Sequence, residues 1–233
     1  MTNALTVRAY YDLAKPRMVY ANVVVAAAAY IYASHGTIDV VLGATVLAGL
    51  GLVIASACTF NNYMDQEMDA KMERTRCRAL PSGMLPGRHA LIMGAVLLGA
   101  GLALLSLTTP AALVVAFGGW LAYVVLYTPL KPRTPHALFA GALAGAVPPV
   151  VGYAAVVGTL DTTALALFLF LFFWQLPHFV AISIYRGEEY AQAGVPMYFT
   201  GTHSAQQKKA ARRVFLASLV VLLAWCVLLV AFA

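Results

Sequence analysis

The chain has 233 residues, of which 62% are hydrophobic and only 10% are charged, and its mean hydropathy is +0.81. This composition excludes an ordinary soluble domain and predicts an integral membrane protein. The formal net charge of +6 does not indicate nucleic-acid binding, because the basic residues alternate with apolar segments and membrane topology explains their distribution.

Seven apolar stretches are long enough to cross a hydrocarbon layer of roughly 30 Å. In chain order they cover residues 19–34, 37–60, 90–107, 111–127, 136–157, 162–184 and 214–233. The sequence therefore predicts an all-α fold, a polytopic membrane helical bundle of about seven transmembrane helices that forms a single domain over residues 1–233.

The positive charges predict how this bundle is oriented. All fifteen Lys and Arg residues lie near the N-terminus or in every second connection, within residues 8–17, 71–88, 131–133 and 186–213. By the positive-inside rule, the N-terminus and the three basic loops face the cytoplasm, and an odd helix count leaves the C-terminus outside. We therefore expect a multi-pass protein of the cell inner (plasma) membrane, with its polar loops on the cytoplasmic side.

Polar residues recur every four positions at the end of the second apolar stretch. Helical spacing places Asn61, Asp65 and Asp69 on one face, where clustered carboxylates require a cation. Oxygen ligands suit Mg²⁺, and the guanidinium groups of Arg74 and Arg78 can each bind two phosphate oxygens at once. The motif predicts a Mg²⁺ site that holds a phosphate or diphosphate; the alternative is a solvated extension of the helix.

The other two basic loops allow two interpretations each. Lys131 and Arg133 either anchor the topology or bind phosphate. The second long loop is either a charge cluster at the membrane surface or an acidic loop that clamps a diphosphate through a further metal ion. Its candidate residues are Arg186, Glu188, Glu189 and Tyr190.

Two features lie within predicted spans. Pro148 and Pro149 interrupt the fifth stretch among several glycines, which predicts a kinked and closely packed helix. His178 lies inside the sixth stretch, and a polar side chain within a membrane span suggests a functional site. Imidazole can ligate iron, so His178 either binds a ligand or substrate or bonds to a neighbouring helix.

Several motifs together resemble a known family. The run of residues 61–83 resembles the first aspartate-rich motif of the UbiA-type intramembrane prenyltransferases. Narrower matches at residues 15–17, 127–134, 141–152, 177–179 and 189–197 resemble its protoheme IX farnesyltransferase (heme O synthase) branch. The family generally has nine spans, so we expect the last two family helices to be lacking from residues 1–233. Ala79, Glu188 and Glu189 depart from the usual residues of the family.

The resemblance implies transfer of a farnesyl group from farnesyl diphosphate to a vinyl group of heme B, with addition of water, to give heme O. It implies Mg²⁺ as cofactor, the lipid bilayer as environment and a downstream heme-modifying membrane enzyme as a partner. The implied metal ligands are Asn61, Asp65 and Asp69, which with Lys131 form the catalytic set. The implied substrate-binding residues are Arg74, Arg78, Arg133, His178, Arg186, Glu188, Glu189 and Tyr190.

Two alternatives remain open at this point. A sister enzyme that prenylates an aromatic acid or a quinone precursor would share the first motif. A membrane transporter would also place prolines and charged residues within its spans, although its binding residues would lie near the membrane midplane.

Overall fold

The computed structural model describes residues 3–233, with side chains from residue 7 onward, and every regular element in that range is helical. The elements are α1 (Asn3–Leu13), α2 (Pro16–Ala33), α3 (Val40–Met64), α4 (Gln66–Ala70), α5 (Gly87–Leu105), α6 (Pro110–Leu121), a π-helical turn (Ala122–Tyr127), α7 (Thr128–Leu130), α8 (Ala137–Gly145), α9 (Val147–Val157), α10 (Thr162–Tyr185), α11 (Gly187–Gln192) and α12 (Ala205–Ala231).

Six helical segments are long and apolar enough to cross a membrane. They are Val40–Met64, Gly87–Leu105, Pro110–Leu130, Ala137–Val157, Thr162–Tyr185 and Ala205–Ala231. Each corresponds to one of the predicted stretches, which confirms the all-α, multi-pass architecture. The first predicted stretch is α2, which has 18 residues and does not reach the hydropathy of the other six, because it includes Arg17, Tyr20 and Asn22. The orientation of the N-terminus stays a prediction.

Glycines allow the helices of the core to approach closely. On α3 and α5, a Cβ added to Gly101 would lie 2.8 Å from the carbonyl oxygen of Gly49, so neither position has room for a side chain. On α9, a Cβ at Gly152 would overlap the carbonyl oxygen of Ala26 in α2. Small residues at such contacts are typical of packing between membrane helices. These contacts hold α2, α3, α5 and α9 around one core.

The fifth span is broken as its prolines predict. Helix α8 ends at Gly145 and α9 begins at Val147, with Pro148 in the first turn of α9. Proline is tolerated there because the amide N–H groups of a first turn have no partner within the helix. In contrast, α10 continues through Pro177.

Candidate functional site

The three predicted metal ligands lie at the end of α3 and in the short helix that follows it. Asn61 is in the last turn of α3, Asp65 caps that helix, and Asp69 belongs to α4. Their exposed fractions are only 2%, 6% and 2%. The alternative of a solvated helix extension is therefore wrong for these side chains.

Each of the three side chains is bound by a different cation. The contacts join Lys15 Nζ to Asn61 Oδ1 (2.5 Å), Lys131 Nζ to Asp65 Oδ2 (2.7 Å) and Arg78 Nη1 to Asp69 Oδ2 (2.7 Å). Three positive charges thus face two carboxylates. The polar cluster, as we call these six residues, has an excess positive charge, which suits an anion rich in oxygen acceptors.

Asn61 also joins two helices at the cluster. Its Nδ2 donates to Asp65 Oδ2 and to Thr128 Oγ1, each over 3.1 Å. Thr128 Oγ1 in turn donates to the carbonyl oxygen of Tyr123, which belongs to the π-helical turn. Because both N–H groups of the amide are used, Asn61 Oδ1 is the atom that faces Lys15. π-Helical turns often mark functional sites, and this one positions Thr128 for that contact.

Lys15 is the member of the polar cluster that the motif analysis missed. It precedes α2 with a backbone φ of 49°, a left-handed conformation that is uncommon for a lysine. Burial lowers the pKa of its ammonium group, and the charges of Lys131 and Arg78 act in the same direction. The only sequence signal was the match at residues 15–17, which gave no role to Lys15.

Lys131 has the opposite electrostatic balance. Burial disfavours its charged form, but Tyr127 and the Asp65 carboxylate outweigh this effect and raise the pKa of Lys131. This ammonium group therefore remains protonated. Arg133, two residues further on, is exposed.

The donor set of the polar cluster suits Mg²⁺. Residues 3–233 contain no group of three His, Cys, Asp or Glu side chains placed to hold a metal alone. Mg²⁺ is usually bound through one or two carboxylates and completed by water and substrate phosphates. Buried Asp65 and Asp69, with the Asn61 amide oxygen, are the side chains that could hold such an ion.

The second long loop (residues 186–213) contacts the first long loop (residues 71–88) through an ion pair. Arg74 Nε lies 3.2 Å from Glu189 Oε2, and Arg186 also binds Glu189. Burial would raise the pKa of Glu189, but hydrogen bonds from Arg186 and Arg74 lower it overall. Glu188 instead pairs with Lys208 of α12 over 2.8 Å.

Apolar contacts hold the same two loops together. Met72 is buried against Ala193 and Val195, and Tyr190 packs beside them. The structure thus brings the loops side by side, with Glu189 rather than Glu188 at their junction.

An apolar chamber of about 360 Å³ lies next to the polar cluster. Its walls come from α2, α3, α6, α8, α9, α10, α12 and the π-helical turn. Cys58 lines the chamber one helical turn before Asn61, and Tyr127 lines it one turn before Lys131. The chamber therefore extends from the charged residues into the membrane-spanning part of the bundle.

His178 lines the same chamber from α10. Its Nδ1 lies 2.8 Å from Ser218 Oγ, and Ser218 donates its only proton to the carbonyl oxygen of Phe215. In the neutral tautomer whose Nδ1 donates this hydrogen bond to Ser218, Nε2 is the unprotonated nitrogen. The ring is held between Trp174 and Phe215, with centroid distances of 5.2 and 4.7 Å.

The sequence is similar to a known family of membrane enzymes. Residues 22–233 match the sequence profile of the UbiA prenyltransferase family. Protoheme IX farnesyltransferase from Marinomonas sp. (strain MWYL1) is 41% identical over 202 residues, which cover 86% of this chain and 68% of that protein. Protoheme IX farnesyltransferase 2 from Shewanella loihica is 41% identical over 191 residues, which cover 81% of this chain and 62% of that protein. The chain thus spans about two thirds of the length of these relatives.

Solved structures share the fold. A digeranylgeranylglyceryl phosphate synthase superposes with a TM-score of 0.71 at 18% identity, over 97% of this chain and 85% of that one. A UbiA homologue from Archaeoglobus fulgidus, bound to DMAPP and Mg²⁺, superposes with a TM-score of 0.69 at 14% identity, over 92% of this chain and 86% of that one.

Proposed function

The chain belongs to the UbiA prenyltransferase family, and from this premise we propose that it transfers a farnesyl group from farnesyl diphosphate to a vinyl group of heme B. Water is added in the same reaction, which gives heme O. The names of its relatives support heme as acceptor, and the bound prenyl diphosphate and Mg²⁺ of a structural neighbour support the donor and the metal.

The observation that carries the proposal is the polar cluster at one end of an apolar chamber. Lys15, Arg78 and Lys131 supply three cations that a diphosphate can bind. The farnesyl chain, being apolar, would extend into the chamber. This division of the site into a charged end and a dry end suits a lipid-like diphosphate.

Departure of the diphosphate requires stabilisation of the charge that develops on it. Mg²⁺ held by Asn61, Asp65 and Asp69 would neutralise part of that charge. The ammonium groups of Lys15 and Lys131 and the guanidinium group of Arg78 would bind oxygens of the leaving diphosphate. Arg74 and Arg186 both bind Glu189, and Arg74 thereby joins the two long loops. Exposed Arg133 would attract the substrate.

Two aromatic rings lie where the allylic cation would form. Tyr123 and Tyr127 line the chamber beside the polar cluster, with their ring centroids 5.1 Å apart. Aromatic faces stabilise nearby cations, and the apolar walls exclude bulk water that would end the reaction early.

We assign His178 to the heme acceptor. In the tautomer whose Nδ1 donates to Ser218, Nε2 is the unprotonated nitrogen that would ligate the heme iron, and the hydrogen bond to Ser218 would fix the orientation of the ring. His178→Ala should therefore remove the shift of the heme absorption band on binding while leaving farnesyl diphosphate affinity intact. An unchanged heme spectrum in that variant would refute the assignment.

The cellular setting follows from the same reasoning. We place the protein in the inner membrane with the polar cluster on the cytoplasmic side, as the distribution of Lys and Arg favours. Heme O would then pass to a membrane enzyme that modifies heme further. Membership of the UbiA prenyltransferase family argues against the transporter alternative.

The choice of acceptor is tested by diphosphate release. Purified protein with farnesyl diphosphate and Mg²⁺ is supplied with heme B or with an aromatic acid. We expect diphosphate to be released when heme B is the acceptor and not when the aromatic acid is. Diphosphate release only with the aromatic acid would assign the chain to the sister enzymes.

A further inference from the structure

Gln175 is a buried amide within α10 that contacts no residue of the polar cluster by hydrogen bonding. Its exposed fraction is 5%, and it lines the chamber one turn before His178. An amide within a membrane span is costly unless its polar atoms are bonded. Its presence in an otherwise apolar wall calls for an explanation.

The hydrogen bonds of Gln175 fix the direction of its oxygen. Nε2 donates to the carbonyl oxygens of Leu171 (2.8 Å) and Ala142 (3.3 Å). Because both partners only accept, the nitrogen is identified without ambiguity and both of its hydrogens are used. The remaining atom, Oε1, is an acceptor to which no group in residues 7–233 donates.

The wall opposite this oxygen leaves room for it. A Cβ added to Gly145 of α8 would overlap Gln175 Oε1, and Gly145 also lines the chamber. The missing side chain at Gly145 thus makes room for the amide oxygen itself, at a place where both residues line the chamber. The oxygen is not fully enclosed by protein atoms, so a small hydrogen-bond donor in the chamber can reach it.

We propose that Gln175 Oε1 binds the water molecule that completes farnesyl transfer. This inference rests on the proposed function. Farnesyl C1 bonds to the terminal vinyl carbon while its bond to diphosphate breaks, and the diphosphate leaves with the electron pair. The positive charge then lies on the vinyl carbon next to the porphyrin ring. Water forms a C–O bond to that carbon, and its released proton passes to the diphosphate.

An amide oxygen suits this task better than the other polar groups of the chamber. It accepts an O–H of the water, so the lone pairs of the water oxygen remain free to attack the cation. A donor would occupy those lone pairs, and a carboxylate would itself trap the cation. The short distance to His178, about 4.5 Å along the helix axis, places this water beside the heme that His178 would hold.

The test is the ratio of two products. Gln175→Met keeps the length of the side chain but removes the acceptor, so the cation loses a proton and yields farnesylated heme lacking the added water. We expect the ratio of hydrated to unhydrated product, measured by mass spectrometry, to fall about tenfold, as for loss of one hydrogen bond to the attacking water. Gly145→Ala displaces Oε1 without altering Gln175 and should shift the ratio in the same direction.

Three results separate the possible failures. If wild-type protein gives heme O and both variants retain its product ratio, the role of Gln175 is refuted. Asn22 is the other amide that lines the chamber. If the product ratio changes in Asn22→Leu but not in Gln175→Met, the role belongs to Asn22 and the proposal for Gln175 is refuted. If wild-type protein gives no farnesylated heme of either kind, the proposed function fails, and this inference fails with it. A Gln175→Met protein that does not fold leaves Gly145→Ala to decide.

Discussion

The pair formed by Lys131 and Asp65 gives the sharpest test of how the polar cluster works. The two atoms lie 2.7 Å apart, and the side chains are only 15% and 7% exposed. Removing one member of such a pair leaves a buried charge without a partner, which costs about 3–5 kcal/mol. Lys131→Met should therefore lower the free energy of unfolding by about that amount.

The same change should also slow the reaction. Loss of one preorganised group that stabilises a developing negative charge typically costs about 10²–10³ in kcat. The double variant Asp65→Asn with Lys131→Met separates the two effects, because it leaves neither charge unpaired. We expect it to recover part of the stability, with a coupling energy of about 1–3 kcal/mol, but none of the activity.

The assays are thermal unfolding in detergent and turnover of heme B with farnesyl diphosphate. Single and double variants are compared with wild-type protein in the same detergent. If Lys131→Met unfolds and turns over like the wild type, the pair neither stabilises the site nor assists departure of the diphosphate. A double variant that regains full activity would show that neither charge takes part in the reaction.

Three further predictions concern other parts of the fold. Lys15→Met should weaken farnesyl diphosphate binding about tenfold in a titration yet leave the protein folded, because its partner is a neutral amide. Gly152→Ala should destabilise the bundle by about 1–3 kcal/mol in thermal unfolding, whereas Gly99→Ala, which has open space around its Cβ, should not. The pKa of Glu189 is lowered in the folded protein, so its contact with Arg74 should be fully present above the ordinary glutamate pKa of about 4.3. The contact should be lost as the pH falls through the lowered pKa of Glu189, and proteolysis of the two loops should then become faster. Wild-type affinity in Lys15→Met would contradict the role of Lys15 in binding. Equal stability of the two glycine variants would contradict the close approach at Gly152, and pH-independent proteolysis would contradict the contact between Glu189 and Arg74.

The spans could be predicted because the physical signal is local. Each apolar stretch needs only its own residues to show that it can cross a bilayer, and the break at Pro148 follows from the chemistry of proline. The first predicted stretch, α2, is less hydrophobic than the other six segments because it contains tyrosines and Asn22. Asn22 lines the chamber. Length alone did not show that difference.

The candidate site was only partly predictable, because its contacts join distant residues. The four-residue spacing identified Asn61, Asp65 and Asp69, but the pairing of Asn61 with Lys15 spans 46 positions. Similarly, nothing local indicated that Glu188 turns to α12 while Glu189 bridges the two loops.

The central claim is that this chain makes heme O with the help of a metal ion. The most direct measurement is mass spectrometry of heme extracted after incubation of the purified protein with heme B, farnesyl diphosphate and Mg²⁺, with and without a chelator. We predict heme O in the complete mixture and none with the chelator. Unmodified heme B in the complete mixture, from protein shown to bind both substrates, would contradict the proposal, and heme O formed equally with the chelator would contradict the role of the metal.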